Sequence, residues 1–144
     1  MNPQRSKILV VDDSEIALEL TRIALEEGGH QVVTTDSPFG FSALLREENP
    51  DLALVDVSMP CLRGDKLVEI AHRHVSSVPV GEFADSPPSS RRRCPIVLYS
   101  NRPLRELRQL AARCGAAGFI QKSGDSEELL REVSRFLEAS VAGN

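Results

Sequence analysis

Short apolar runs that end in a charged or hydroxyl-bearing residue recur along the chain. Lys7-Ile8-Leu9-Val10-Val11 runs into Asp12-Asp13, and Leu52-Ala53-Leu54-Val55 runs into Asp56. Ile96-Val97-Leu98-Tyr99 ends in Ser100, and Gly118-Phe119-Ile120-Gln121 ends in Lys122. A fifth run, Gln31 to Thr35, is rich in Val and Thr. Unbroken apolar runs of this length, bounded by turn residues, fit strands buried on both faces, although for 52–55 periodicity alone leaves a buried helix segment open. The segments between them carry helical spacing instead. From Ser14 to Glu27, Ile16, Leu20, Ile23 and Ala24 predict one apolar face, widened by Leu18 and Leu25. Asp13 or Ser14 is the candidate N-cap and Gly28-Gly29 the stop. Ser37-Pro38 opens a second helix that reaches about Glu48 through Phe41, Leu44 and Leu45, and Asn49-Pro50 ends it. Further helices are predicted over 65–74, over Pro103 to Cys114 with Leu104, Leu107, Leu110 and Ala111 on one face, and over 126–139. The last carries Leu129, Leu130, Val133, Phe136 and Leu137, and Asp125, Glu127 and Glu128 suit its positive N-terminus.

Strand and helix thus alternate five times, which predicts an α/β fold with a parallel sheet and helices on both faces. One domain over 1–144 is expected, with a core of about 7–139. Val75 to Cys94 keeps no period. It holds Pro79, Gly81, Pro87-Pro88, several serines and Arg91-Arg92-Arg93, and is expected to be a long surface loop, a mobile partner-contact or tuning element.

Composition narrows the classes. The chain has 144 residues, 41% hydrophobic and 26% charged, a soluble globular profile with enough length for a proper core. Seventeen basic against twenty-one acidic residues give a formal charge of −4, so direct DNA binding is not expected. No run approaches a membrane span and no signal peptide opens the chain, so a cytoplasmic location is expected. Cys61, Cys94 and Cys114 have no CxxC pairing and are expected to be reduced thiols. His30, His72 and His74 form no metal pattern.

Parallel strands bring Asp12, Asp13, Asp56, Ser100 and Lys122 to one edge of the sheet, where ligands collect in open α/β folds. Taken singly, each has a plainer explanation: a helix cap for Asp12 and Asp13, a turn cap for Asp56, a backbone-bonded hydroxyl for Ser100, a solvated lysine for Lys122. Together, three crowded carboxylates call for a cation, and an all-oxygen site with open positions suits Mg²⁺. A phosphoryl group on Asp56 brings three charged oxygens. The metal can neutralise one, Lys122 a second, and the Ser100 hydroxyl can bond the third.

In the order Asp12-Asp13, Asp56-x-x-Met59-Pro60, Gly64, Ser100 and Lys122, the chain resembles the receiver domain of two-component response regulators, from about Lys7 to Ala139. The resemblance implies a doubly wound five-stranded parallel sheet of order 2-1-3-4-5, flavodoxin-like, as in single-domain chemotaxis regulators. It implies Asp56 as phosphoacceptor, with Mg²⁺ bound by Asp13, Asp56 and the Ser58 backbone carbonyl, and by Asp12 through water. It implies Ser100 and Phe119 as switch residues and Lys122 as the partner of the phosphoryl group. The donor implied is a histidine kinase or histidine phosphotransfer protein. Output is expected through protein contact, because no residues follow Ala139 in number sufficient for an output domain. The expected face is 103–139, made basic by Arg102, Arg105, Arg108 and Arg113, and suited to an acidic partner or a phosphorylation-dependent homodimer. No enzymatic turnover is expected beyond self-phosphotransfer and autodephosphorylation.

Departures from the family pattern are local. Ser123 replaces the proline usual after the lysine, which favours a trans bond there. Asn101 replaces a small residue after Ser100, Phe119 replaces the commoner tyrosine, and the 75–94 stretch is longer than the family norm. The alternatives are a degenerate receiver acting as a phosphate-independent docking module, a flavodoxin-like cofactor binder, and an α/β hydrolase using an aspartyl-phosphate. The acids argue against a flavin site. The lack of a cap or further acids argues against the hydrolase.

Overall fold

A computed structural model describes residues 6–37, 40–57 and 94–142. The predicted helix over 65–74, Ser58, Cys61, His72, His74 and nearly all of the 75–94 stretch lie outside these residues. Five strands are described: β1 Lys7–Val11, β2 Gln31–Thr35, β3 Leu52–Val55, β4 Ile96–Ser100 and β5 Gly118–Gln121. They form one all-parallel sheet in the order β2-β1-β3-β4-β5, the order expected. Among the described residues four helices accompany it: α1 Glu15–Glu27, α2 Phe41–Glu48, α3 Leu104–Cys114 and α4 Ser126–Ala142.

Strand alternation divides the core into two layers. Ile8, Val10, Leu52, Leu54, Val97 and Ile120 face α1 and α4, where Leu18, Leu25, Leu129 and Val133 pack. Leu9, Val11, Ala53, Val55, Ile96 and Leu98 face α2 and α3, meeting Phe41, Leu107, Leu110 and Ala111. β3 is buried at all four positions, which resolves its ambiguity in favour of a central strand. Register places Val11 beside Val55, so the residues that follow, Asp12 and Asp56, emerge together.

Helix boundaries follow their caps. Ser14 is the N-cap of α1, its Oγ accepting the Ala17 N–H at 3.2 Å. Asp125 caps α4 by accepting the N–H groups of Glu127 and Glu128. Two starts differ from expectation. α2 is described from Phe41 after Gly40, whereas Ser37-Pro38 was expected to open it; Pro38 lies outside the described residues. Pro103 is the residue before α3, not its first residue.

The larger difference is the orientation of α1. Ile16, Leu20 and Ile23, expected in the core, are exposed at 74%, 64% and 43%, whereas Leu18, Thr21, Ala24 and Leu25 are buried. Both sets have helical spacing, so the pattern alone was degenerate. Leu18 and Leu25 take the core with Thr21 and Ala24 between them, and the isoleucines are left outside.

Candidate functional site

The site lies where β1, β3, β4 and β5 end. Asp12 and Asp56 are buried, at 2% and 6% exposure, and Asp13 is exposed. Carboxylate oxygens of Asp12, Asp13 and Asp56 all lie within 4.8 Å of one another. At an effective dielectric of about 20, each pair of charges at that distance repels by about 3–4 kcal/mol. The fold brings a counter-charge to them. Lys122 Nζ reaches across from the end of β5 to Asp12 Oδ2 at 2.7 Å. Asp12 Oδ1 accepts the Ser14 N–H at 3.0 Å, at the start of α1. Both oxygens of Asp12 are therefore engaged. Three carboxylates less one ammonium leave two negative charges, which a divalent cation matches, and hard oxygen donors fit Mg²⁺. The residues present thus fit the metal.

Backbone hydrogen bonds fix the edge. Asp56 N–H donates to Val11 O at 2.9 Å, and Lys122 N–H donates to Ser100 O at 2.7 Å. Ser100 is 1% exposed, and its Oγ accepts the Arg102 N–H at 3.3 Å. Gln121 Nε2 donates to Arg102 O at 3.0 Å, tying the loop after β4 to β5. The bond between Lys122 and Ser123 is trans. Phe119 is half-buried against the α2–α3 layer, one strand position on from Gly118 and on the side toward α3. The structure therefore brings Asp12, Asp13, Asp56, Ser100 and Lys122 to one edge, with Phe119 three residues back along β5. Ser58 lies outside the described residues.

Arg102, expected on the basic face, forms an ion pair with Glu106 and is half-buried, while Arg105, Arg108 and Arg113 are exposed. Cys94 and Cys114 are free thiols, as expected for those two. Burial pushes the Cys94 thiol up to about 12, which makes it unreactive at neutral pH. No described helix is long and apolar enough to cross a membrane.

Two residues at this edge were not singled out from sequence. Tyr99, the only tyrosine in the chain, packs against the α1–α4 layer, and Lys122 Nζ lies 5.3 Å from its ring centroid. Burial raises the Tyr99 phenol, while a hydrogen bond with Thr21 and the charge of Lys122 pull it the other way. The available signal was position: an aromatic directly before the strand-end hydroxyl, pointing to the opposite face.

Residues 8–134 match the response regulator receiver domain, and the chain belongs to that family. It is 29% identical over 132 residues to protein PilH of Pseudomonas aeruginosa, covering 92% of this chain and 98% of that one. Histidine kinase 3 of Arabidopsis thaliana is 25% identical over 140 residues, 92% of this chain but 14% of the kinase. Among solved structures, a CheY-like receiver domain protein from Methanospirillum hungatei superposes with a TM-score of 0.76 at 23% identity, covering 97% of this chain and 99% of that one. Chemotaxis protein CheY4 of Vibrio cholerae gives 0.74 at 23% identity, over 92% and 98%. These structural likenesses show the shared fold. Receiver domains are signalling domains of two-component systems rather than enzymes in the usual sense.

Proposed function

We propose that this chain is a phosphoacceptor switch in a phosphorelay, with Asp56 receiving a phosphoryl group from the phosphohistidine of a histidine kinase or histidine phosphotransfer protein. The supporting observation is the convergence of Asp12, Asp13 and Asp56 within 4.8 Å, with Lys122 2.7 Å from Asp12. An Asp56 carboxylate oxygen attacks phosphorus in line with the donor's P–N bond. That bond breaks, its electron pair stays on the imidazole nitrogen, and the ring leaves as neutral imidazole, its other nitrogen already carrying the proton. Positioning and charge stabilisation are sufficient for such a loose transition state. Asp13, Asp56 and the Ser58 carbonyl would hold Mg²⁺, with Asp12 in an outer role through water, and the ion would supply neutralisation of the carboxylates and of one phosphoryl oxygen. Asp12 suits that outer role because its oxygens already accept Ser14 N–H and Lys122.

Lys122 then turns from Asp12 toward a second phosphoryl oxygen, and the Ser100 hydroxyl donates to a third. Ser100 and Phe119 flank α3, so their response to phosphate alters the 103–139 face. Exposed Arg105 and Arg108 on that face suit an acidic partner or a second phosphorylated copy. The donor would meet the other side of the site, where the exposed apolar stripe Ile16, Leu20 and Ile23 begins three residues after Asp13. In this reading the chain works as a cytoplasmic receiver domain that signals through protein contact. Incubation with acetyl phosphate and Mg²⁺ tests it: the parent becomes labelled and Asp56→Asn does not. A phosphate-independent docking module would bind its partner with no labelling at all.

A further inference from the structure

The Lys122 ammonium has two neighbours of different kinds. Asp12 Oδ2 lies at 2.7 Å and is directional; the Tyr99 ring centroid lies at 5.3 Å and is not. The ring is itself held. Tyr99 packs against the α1–α4 layer that Val97, Ile120 and Leu129 help to form. Strand alternation turns Tyr99 away from Ser100, so the ring supports the lysine without entering the space above Asp56. A lysine side chain is flexible over four carbons, and an ion pair fixes only its tip.

We propose that Tyr99 is a positioning residue for Lys122, its ring face holding the ammonium over the strand-end edge so that the charge can pass from Asp12 to a phosphoryl group on Asp56 without swinging into solvent. The face of an aromatic ring attracts a cation over a range of positions. It therefore keeps its hold as the ammonium changes oxygen partners, which a second carboxylate would not. The catalytic consequence rests on the phosphoacceptor reading of the site; the contact itself does not.

The test separates the two. In a ¹³C–¹H spectrum of the parent, with no phosphodonor present, ring current shifts the Lys122 ε-methylene protons upfield of those of Lys7 and Lys66. The shift persists in Tyr99→Phe and disappears in Tyr99→Leu. Labelling of Asp56 by acetyl phosphate and Mg²⁺ slows about threefold to tenfold in Tyr99→Leu and less than about twofold in Tyr99→Phe. In a Lys122→Ala background Tyr99→Leu slows labelling no further. Lys122 protons at ordinary positions in the parent would overturn the proposal, and that reading needs no variant to fold. Equal slowing by Tyr99→Leu with and without Lys122 would also overturn it, as a packing effect. If the parent takes no label, the phosphoacceptor reading fails while the spectrum still decides the contact.

Discussion

Asp12 shows how a buried carboxylate is tolerated here: one oxygen takes a backbone N–H at a helix start, the other an ammonium. Lys122 is a counter-ion in this arrangement and not a metal ligand. Lys122→Ala should accordingly leave Mg²⁺ affinity within about tenfold of the parent while weakening the phosphate-driven change, because a phosphoryl oxygen loses its charge-assisted partner. Calorimetric titration with Mg²⁺ checks the first half; a larger loss of affinity would place Lys122 among the ligands. His30 makes a different prediction. It is 7% exposed, its Nδ1 is buried without a hydrogen-bond partner, and burial lowers its pKa. The folded protein thus resists a proton that the unfolded chain accepts below about pH 6.5, so stability falls as pH drops through that value and is indifferent to His30 above it. The slope from this group is at most about 1.4 kcal/mol per pH unit. Urea denaturation of the parent and His30→Leu at pH 7 and pH 5.5 should show the gap moving in favour of leucine at the lower pH. A constant gap would mean that the imidazole titrates normally.

The strands and most helix bounds were legible because their signals are local: β-branched runs closed by acids, a Ser14 cap, glycines after α1 and α3. What α1 buries was legible only in part: Leu18, Ala24 and Leu25 lay on the expected face, but so did Ile16, Leu20 and Ile23. Ile16-Leu20-Ile23 and Leu18-Thr21-Leu25 are equivalent as helical stripes, and only packing against β1, β3 and α4 chooses between them. The choice has an energetic signature. Leu25→Ala should cost about 2–5 kcal/mol, whereas Leu20→Ser should stay within about 0.5 kcal/mol of the parent by chemical denaturation. Comparable losses would mean that α1 is turned the other way. Substituting Ile16 with glutamate should likewise spare stability and slow phosphotransfer from a protein donor more than from acetyl phosphate. The approach of α4 to β5 was hidden. A Cβ at Gly118 would lie 2.5 Å from the Phe136 ring, so the strand accepts that ring only because the position has no side chain. At the site, Asp12, Asp56, Ser100 and Lys122 were readable because a polar residue after an apolar run needs a reason. Tyr99 and Thr21 were not, since an aromatic suits a strand and a threonine gives no sign of burial.

The sheet order places every strand end that carries chemistry on one edge and the entry to β4 on the other. Cys94-Pro95 leads into Ile96, four strand steps or about 13 Å before Ser100. Replacing Pro79–Ser90 by a short Gly/Ser linker should therefore leave Asp56 labelling intact, and loss of labelling in a folded variant would contradict that separation. We propose that three strand-end carboxylates, balanced by Lys122 and a divalent cation, make Asp56 an acceptor of phosphate. The most direct test is the mass of the intact protein after acetyl phosphate treatment. One phosphoryl group should be added with Mg²⁺, none with a chelator, and none in Asp56→Asn. Equal phosphorylation of Asp56→Asn, or labelling indifferent to the chelator, would contradict it.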